Sequence, residues 1–196
     1  MIGDVSPDEI AASAAETRAA LEATVGLSST DKVLEIGCGI GRVGAELAPY
    51  VGEWIGCDVS PTMLAHARER LAAQRNVQLV ENSGFDLAPI PAETIDVVYC
   101  TVVFMHLDEW DRWGYVQEAF RVLRRSGRLY VDNFNLLSDE GWAVFEAHAA
   151  IAPNRRPTHI SKASTPQELR RYLVQAGFTD VQTQEAGLFV RAYGTR

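Results

Sequence analysis

Long apolar runs are missing from this chain: no segment approaches the ~18 residues that a helix needs to cross a bilayer. Positive charge is missing at the start, where Asp4, Asp8 and Glu9 stand in place of the basic residues of a secretory leader. A cytoplasmic protein with no membrane partner is the expectation. Basic residues are scarce throughout, 18 Lys and Arg against 26 Asp and Glu, which leaves a net charge of −8. Binding a phosphate backbone needs a basic face, so nucleic acid is not an expected partner. Cysteine is scarce too. The three present, Cys38, Cys57 and Cys100, fit no metal-ligand spacing and read as reduced, buried thiols, and no metal site is expected. Internal repeats and low-complexity tracts are absent. A length of 196 residues with 47% apolar content suits one well-cored domain over 1–196.

What the chain does have is a glycine turn. In 33–42, VLEIGCGIGR, an apolar run broken only by Glu35 stops at the alternating glycines Gly37, Gly39 and Gly41, and a helical pattern follows from Val43. Glycine is needed where a backbone takes positive φ or lets a ligand approach without a Cβ in the way. The N-terminus of the following helix leaves N–H groups free to meet a negative group. A second apolar strand, 54–57, ends in Asp58, an acid suited to two ribose hydroxyls. Two strand ends thus describe one nucleoside site.

The remaining pattern alternates. A capping box at Ser6-Pro7-Asp8-Glu9 opens a helix over 6–25, the core of an N-terminal helical cap over 1–30. Strands are expected at 32–36, 53–57, 76–80, 95–100 and 127–131. Helices are expected after the glycines to about 49, then at 60–71 and 110–123, with a loop over 82–91. Beyond Asp132 come a helical stretch over 136–149, an irregular 151–164 and a capping box at Thr165 opening a helix to 176. Strands 178–183 and 187–193 lie close enough to form an antiparallel hairpin. The expected fold is α/β: one doubly wound, mostly parallel seven-stranded sheet with that hairpin at the C-terminus and helices on both faces. Ligands in such sheets lie at the carboxyl ends of the strands, where strand order reverses.

These segments together resemble the class I S-adenosylmethionine (SAM)-dependent methyltransferases, Rossmann-like enzymes, over nearly the whole chain. VLEIGCGIGR resembles the family's first motif. The resemblance implies that Gly37, Cys38 and Gly39 meet the methionine part of SAM and that Glu35 orients that loop or holds the amino group. IGCDVSPTML resembles the second motif, with Asp58 on the ribose hydroxyls and Val59 and Met63 beside adenine. IDVVYCTVVFMHL resembles the strand-four motif, whose exit, Thr101 included, lies under the methionine portion. RVLRRSGRLYVDNF resembles the segment through strand five, with Ser126-Gly127 where the family usually has Pro-Gly. The family often places an acid after strand three on the adenine amino group. Here Ser83, Gly84 and Phe85 form the adenine side, and either Ser83 or Asp86 takes that contact. The implied activity is in-line transfer of a methyl group from SAM to a small-molecule acceptor, leaving S-adenosylhomocysteine.

Two other functions compete. GIGRVG also satisfies GxGxxG, the fingerprint of an NAD(P)-dependent oxidoreductase; Glu35, the terminal hairpin and the lack of a second substrate domain favour SAM. A SAM-binding protein without catalysis is the third reading. His106 follows strand four, where a neutral imidazole takes a proton from a hydroxyl or amine near pH 7; its competing role is to shape the pocket floor. Asp132, Asn133 and Asn135 follow strand five, with too few carboxylates for a metal; capping the next helix is the favoured role, and Asn135 is also a substrate candidate. In the expected lid, 136–164, Arg155, Arg156 and His159 suit a carboxylate or phosphate, hence an anionic acceptor. Trp110, Trp113 and Trp142 sit at helical spacing and read as core or interface. A monomer and a homodimer fit equally well.

Overall fold

Side-chain caps start the helices. In the computed structural model, which describes residues 6–158 and 160–196, Ser6 Oγ accepts from the Glu9 amide at 3.3 Å while the Glu9 carboxylate accepts from the Ser6 amide at 2.8 Å. This capping box opens α1 (Pro7–Thr24). Ser60 and Thr165 cap α3 (Pro61–Arg70) and α6 (Pro166–Ala176) by accepting from the Met63 and Glu168 amides, each with Pro at the first helical position; the reciprocal half of the capping box expected at Thr165 is not formed.

Between them the chain builds β1 (Lys32–Ile36), α2 (Arg42–Leu47), β2 (Glu53–Asp58), β3 (Val77–Glu81), β4 (Ile95–Cys100), α4 (Glu109–Val122), β5 (Leu123–Phe134), α5 (Asp139–Ala149), β6 (Thr179–Ala186) and β7 (Phe189–Thr195). The seven strands form one sheet in the order β3-β2-β1-β4-β5-β7-β6. The first five are parallel, and β7 is antiparallel to both β5 and β6. The expected doubly wound sheet with a C-terminal hairpin is therefore the observed one. Strand order reverses between β1 and β4, which puts the exits of both at one crevice.

Each face of the sheet is covered. Leu34, Ile36, Val98, Leu129 and Val131 pack against α4 and α6 through Val116, Ala119, Leu169 and Leu173. Val33, Val97 and Trp54 pack the other way, against Leu21 of α1, Val43 and Leu47 of α2 and Leu64 of α3. Successive side chains on a strand alternate between faces, so register decides which polar residues share a side. Glu35 pairs with Tyr99, Tyr99 with Tyr130, and Tyr130 with Tyr193. All four lie in one row on the α1–α2 face. Two residues further along the alternation comes a second row: Gly37, Thr101, Asp132 and Arg191, the last two directly paired.

Strand five differs from its expected bounds. The ladder jumps from Ile95–Leu123 to Val97–Arg128, so β5 begins directly at the end of α4, and the exposed Arg124, Arg125 and Ser126 loop out, Ser126 with φ +63°. The tryptophans also divide. Trp113 is half-buried against Tyr172, whereas Trp110 and Trp142 are exposed, so the core reading fails for those two.

The excursion after β5 is pinned where it leaves and where it returns. Asn135 bridges Ser164, the Leu136 amide donates to the Ser164 carbonyl, and the Ser164 amide donates to the Phe134 carbonyl. Arg112 of α4 holds the return: buried to 1% exposure, it donates to the Phe104 carbonyl at 2.9 Å, to Ser164 Oγ at 3.0 Å and to Glu168 at 3.0 Å.

Candidate active site

A cavity of about 800 Å³ runs along the C-terminal edge of the parallel strands beneath α1, which contributes Ile10, Ser13, Thr17 and Ala20 to its wall. Its first end is the glycine turn. The Gly37 and Cys38 amides donate to the Cys57 carbonyl at 2.8 and 2.9 Å, fastening the turn to β2. Gly37 takes φ +72°, and a Cβ there would meet Val103 Cγ2 at 2.4 Å, so the β4 exit packs directly beneath the turn. Gly39 takes φ +52° with nothing within 4 Å of the place a Cβ would occupy: its open side is cavity.

Asp58 fixes this turn from the next strand. Its Oδ2 accepts from the Gly39 amide at 2.8 Å and its Oδ1 from the Ser60 amide at 2.9 Å. A carboxylate oxygen accepts more than one hydrogen bond, and the residue lines the cavity with Val59 and Met63. Glu35 lies beneath the turn, buried, and accepts from Tyr99 Oη at 2.6 Å; Trp54 Nε1 in turn donates to that phenol oxygen at 2.9 Å. Burial raises the Glu35 carboxyl to about 8, against the opposing pull of the Tyr99 hydrogen bond and the Arg42 charge.

After β3, Asn82 lines the cavity. Its Nδ2 donates to Tyr115 Oη at 2.9 Å and to the Asp86 carbonyl at 3.3 Å, which fixes the amide and leaves Oδ1 buried and without a partner. Gly84 also lines the cavity. Among the described residues of the wall, Ser83, Phe85 and Asp86 do not appear. Ser83 Oγ accepts from the amides of Phe85 and Asp86, Asp86 Oδ1 accepts from the Ala88 amide, and Phe85 is exposed.

The second end lies across the β4, β5 and β7 edge. Thr101 is buried with Oγ1 unpartnered, and Tyr130, Asp132, Phe189 and Arg191 line the wall beside it. Asp132 is 8% exposed, and its Oδ1 accepts from the Val102 amide at 2.9 Å; Val102 sits at φ +59°, a strained conformation for a β-branched residue. Burial raises the Asp132 carboxyl to about 7, while that hydrogen bond and the charges of Arg191 and Arg42 oppose the shift. Arg42 donates to Ser13 Oγ at 3.2 Å and so ties α2 to the roof. Among the described residues, the Arg191 side chain has no hydrogen bond or ion pair, although its charge reaches Asp132 and Tyr130. His106, exposed, stands at the edge of the same space on a short 3-10 turn, Phe104–His106.

Several candidates lie elsewhere. Asn135 is fully buried outside the cavity, its Nδ2 donating to Glu185 at 2.7 Å and its Oδ1 accepting from the Leu137 amide at 3.0 Å. Arg155 and Arg156 are exposed away from the wall, and Arg156 donates to the carbonyls of Ile151 and Ala149. His159 lies outside the described residues. Among the described residues, no three His, Cys, Asp or Glu side chains are placed to hold a metal ion, and no helix is long and apolar enough to cross a membrane.

Residues 34–131 match the family described as methyltransferase domain. A Mycobacterium tuberculosis protein named as a probable S-adenosylmethionine-dependent methyltransferase is 35% identical over 162 residues, covering 80% of this chain and 51% of its own length. The 27-O-demethylrifamycin SV methyltransferase of Amycolatopsis mediterranei is 26% identical over 174 residues, covering 87% of this chain and 62% of its own. The chain thus spans about half to three fifths of these relatives. A solved SAM-dependent methyltransferase structure from Thermotoga maritima shares the fold, with a TM-score of 0.69 and 23% identity over 89% of this chain and 86% of that one.

Proposed function

Since the chain belongs to the methyltransferase-domain family, whose cofactor is SAM, we propose that it transfers the methyl group of SAM to a small anionic acceptor bound beneath α1. The observation that carries this reading is the single cavity. It joins the glycine turn and Asp58 at one end to Asp132 and Arg191 at the other. About 800 Å³ is the size of a metabolite pocket, and the roof of α1 disfavours a macromolecular acceptor.

The residues at the first end fit SAM. Gly39 offers an open backbone, Asp58 keeps acceptor capacity for ribose hydroxyls, and Asn82 Oδ1, unpartnered and fixed by Tyr115, suits the adenine amino group. Asn82 thus takes the contact for which Ser83 and Asp86 were the candidates. Glu35 faces the methionine amino group, held by Tyr99. When bound, SAM supplies a methyl group already activated by its sulfonium. The protein's task is then to align the acceptor in line with the departing sulfur and to exclude water.

The second end selects the acceptor. An unpaired guanidinium in a partly enclosed cavity favours a carboxylate or phosphate, so the anionic preference moves from Arg155 and Arg156 to Arg191. Phe189 and Tyr130 supply apolar wall, and His106 contacts the acceptor at the mouth. Three free, buried thiols are consistent with a reducing, cytoplasmic setting.

The test is a transfer assay with methyl-labelled SAM against matched acceptors, hydroxybenzoic acids and their uncharged amides, using the wild type and Arg191→Met. Acids methylated well ahead of amides, with the gap lost in Arg191→Met, is the expected result. Equal turnover of both members of a pair by the wild type overturns the anionic reading.

A further inference from the structure

Asp132 stands out among the cavity's polar groups because only part of it is committed. Its Oδ1 is held by the Val102 amide, no hydrogen bond or ion pair engages Oδ2 among the described residues, and the residue lines the cavity. It also lies in one row with Gly37 and Thr101, beside the glycine turn that defines the methionine end. On the other side the row ends in Arg191, the acceptor's anchor. Asp132 is therefore the carboxylate between the two reactants, whereas His106 stands at the mouth and is exposed.

Resting on the reading above, we propose that Asp132 is the proton acceptor of the methyl transfer, ionised by the positive charge of bound SAM and reprotonated when that charge disappears. The acceptor class is then one whose nucleophile carries both a lone pair and a proton, a hydroxyl or an uncharged amine, beside an anionic group. A lone pair of the acceptor oxygen or nitrogen forms the bond to the methyl carbon, the C–S pair returns to sulfur, and the O–H or N–H proton passes to Asp132 Oδ2. Charge balances: a sulfonium and a carboxylate become a neutral sulfide and a neutral carboxyl. The loss of the sulfonium removes the charge that held Asp132 ionised, so proton uptake is favoured at the moment the methyl leaves.

The surroundings support this exchange. Burial raises Asp132 to about 7, so a single added positive charge shifts its protonation near neutral pH. The groups facing it are Arg191 from β7, Arg42 from α2, Tyr130 from its own strand and Cys100 from β4; Glu16 of α1 and His106 line the same space. Glu35 is also raised, but it faces the methionine amino group, which SAM and S-adenosylhomocysteine share.

That difference supplies a test needing no acceptor. Calorimetry at pH 7 in two buffers of different ionisation enthalpy counts the protons released when each ligand binds. SAM is expected to release about half a proton more than S-adenosylhomocysteine, the fraction that a group titrating near neutrality still holds. In Asp132→Asn, whose amide oxygen still accepts from the Val102 amide, SAM is expected to bind about tenfold more weakly, S-adenosylhomocysteine about as tightly as in wild type, and the difference in proton release between the ligands to vanish. A difference that persists in Asp132→Asn, or none in wild type, overturns the proposal. If that variant does not fold, infrared spectra of wild-type protein carrying 13C-labelled Asp decide instead. The protonated-carboxyl band should fall with SAM and remain with S-adenosylhomocysteine; a band unmoved by SAM is contrary. A protein that binds neither ligand strikes the underlying cofactor reading and this proposal with it.

Discussion

Gly37 and Val103 touch so closely that neither position is independent: a Cβ on Gly37 would stand 2.4 Å from Val103 Cγ2. The turn proposed to meet the methionine end of SAM thus rests on the exit of β4, and the positive φ at Gly37 adds strain for any other residue. Gly37→Ala should reduce SAM affinity at least tenfold. Adding Val103→Ala should recover part of that loss by removing the clash while leaving the φ strain. Titration of the single and double variants checks this; no recovery would mean that the contact does not position the turn.

Asn82 should read the adenine amino group. Asn82→Ala removes the unpartnered Oδ1 and also the donor to Tyr115, so S-adenosylhomocysteine should bind about 10- to 100-fold more weakly, the cost of about 1–3 kcal/mol for one buried hydrogen-bonding group. The wild type should discriminate against the inosine analogue, which lacks the amino donor, and Asn82→Ala should not. Equal binding of both analogues by the wild type would remove Asn82 from this role.

Glu35 makes stability pH-dependent in a direction opposite to that of a salt-bridged carboxylate. Its folded pKa of about 8 lies above the ordinary carboxylate value of 4.5, chiefly through burial. The folded state therefore holds a proton that the unfolded state has lost between those limits, and stability falls as pH rises through the window. Thermal melting of the unliganded protein should show a lower Tm at pH 8.5 than at pH 6, and Glu35→Gln should flatten that decline. Asp132, raised to about 7, contributes the same sign over the lower part of the window. A Tm that rises with pH in the wild type would contradict this.

Arg112 should be the main tie of the segment that returns from β5 to α6. Replacing it with Met removes one donor each from the Phe104 carbonyl and Ser164 Oγ, which keep the Leu107 amide and Asn133 Nδ2, and takes the guanidinium from Glu168. The expected cost is about 2–4 kcal/mol of stability, with faster proteolysis between 136 and 162. Denaturant unfolding combined with limited proteolysis measures both.

The glycine-turn end of the cavity is legible in the sequence because it is local. The glycines, Asp58 and the capping boxes are each contained in a few consecutive residues, and the chemistry needs only that order. The second end is not, because it depends on register. Arg191 reaches the cavity only because β7 pairs antiparallel with β5 and places it opposite Asp132. The cationic loop at Arg155 and Arg156 is conspicuous in the chain but lies away from the cavity wall, where Arg156 holds backbone carbonyls. Asn82 and Ser83 are adjacent, and nothing in the sequence pattern separates their roles. Only the network shows that Ser83 Oγ closes its own turn while Tyr115 orients Asn82. The early start of β5 was hidden likewise, since the helical pattern of α4 runs into a strand whose bulge has no sequence period.

The most direct measurement is calorimetric titration of SAM and S-adenosylhomocysteine into the wild type and Asp58→Ala. Asp58 holds the Gly39 amide at 2.8 Å and faces the cavity, so its loss should both loosen the turn and remove the ribose acceptor. One saturable site for each ligand in the wild type, weakened at least 100-fold in Asp58→Ala, is the expected outcome. Unchanged affinity in Asp58→Ala, or wild-type binding of NAD in place of SAM, would contradict the cofactor site described here.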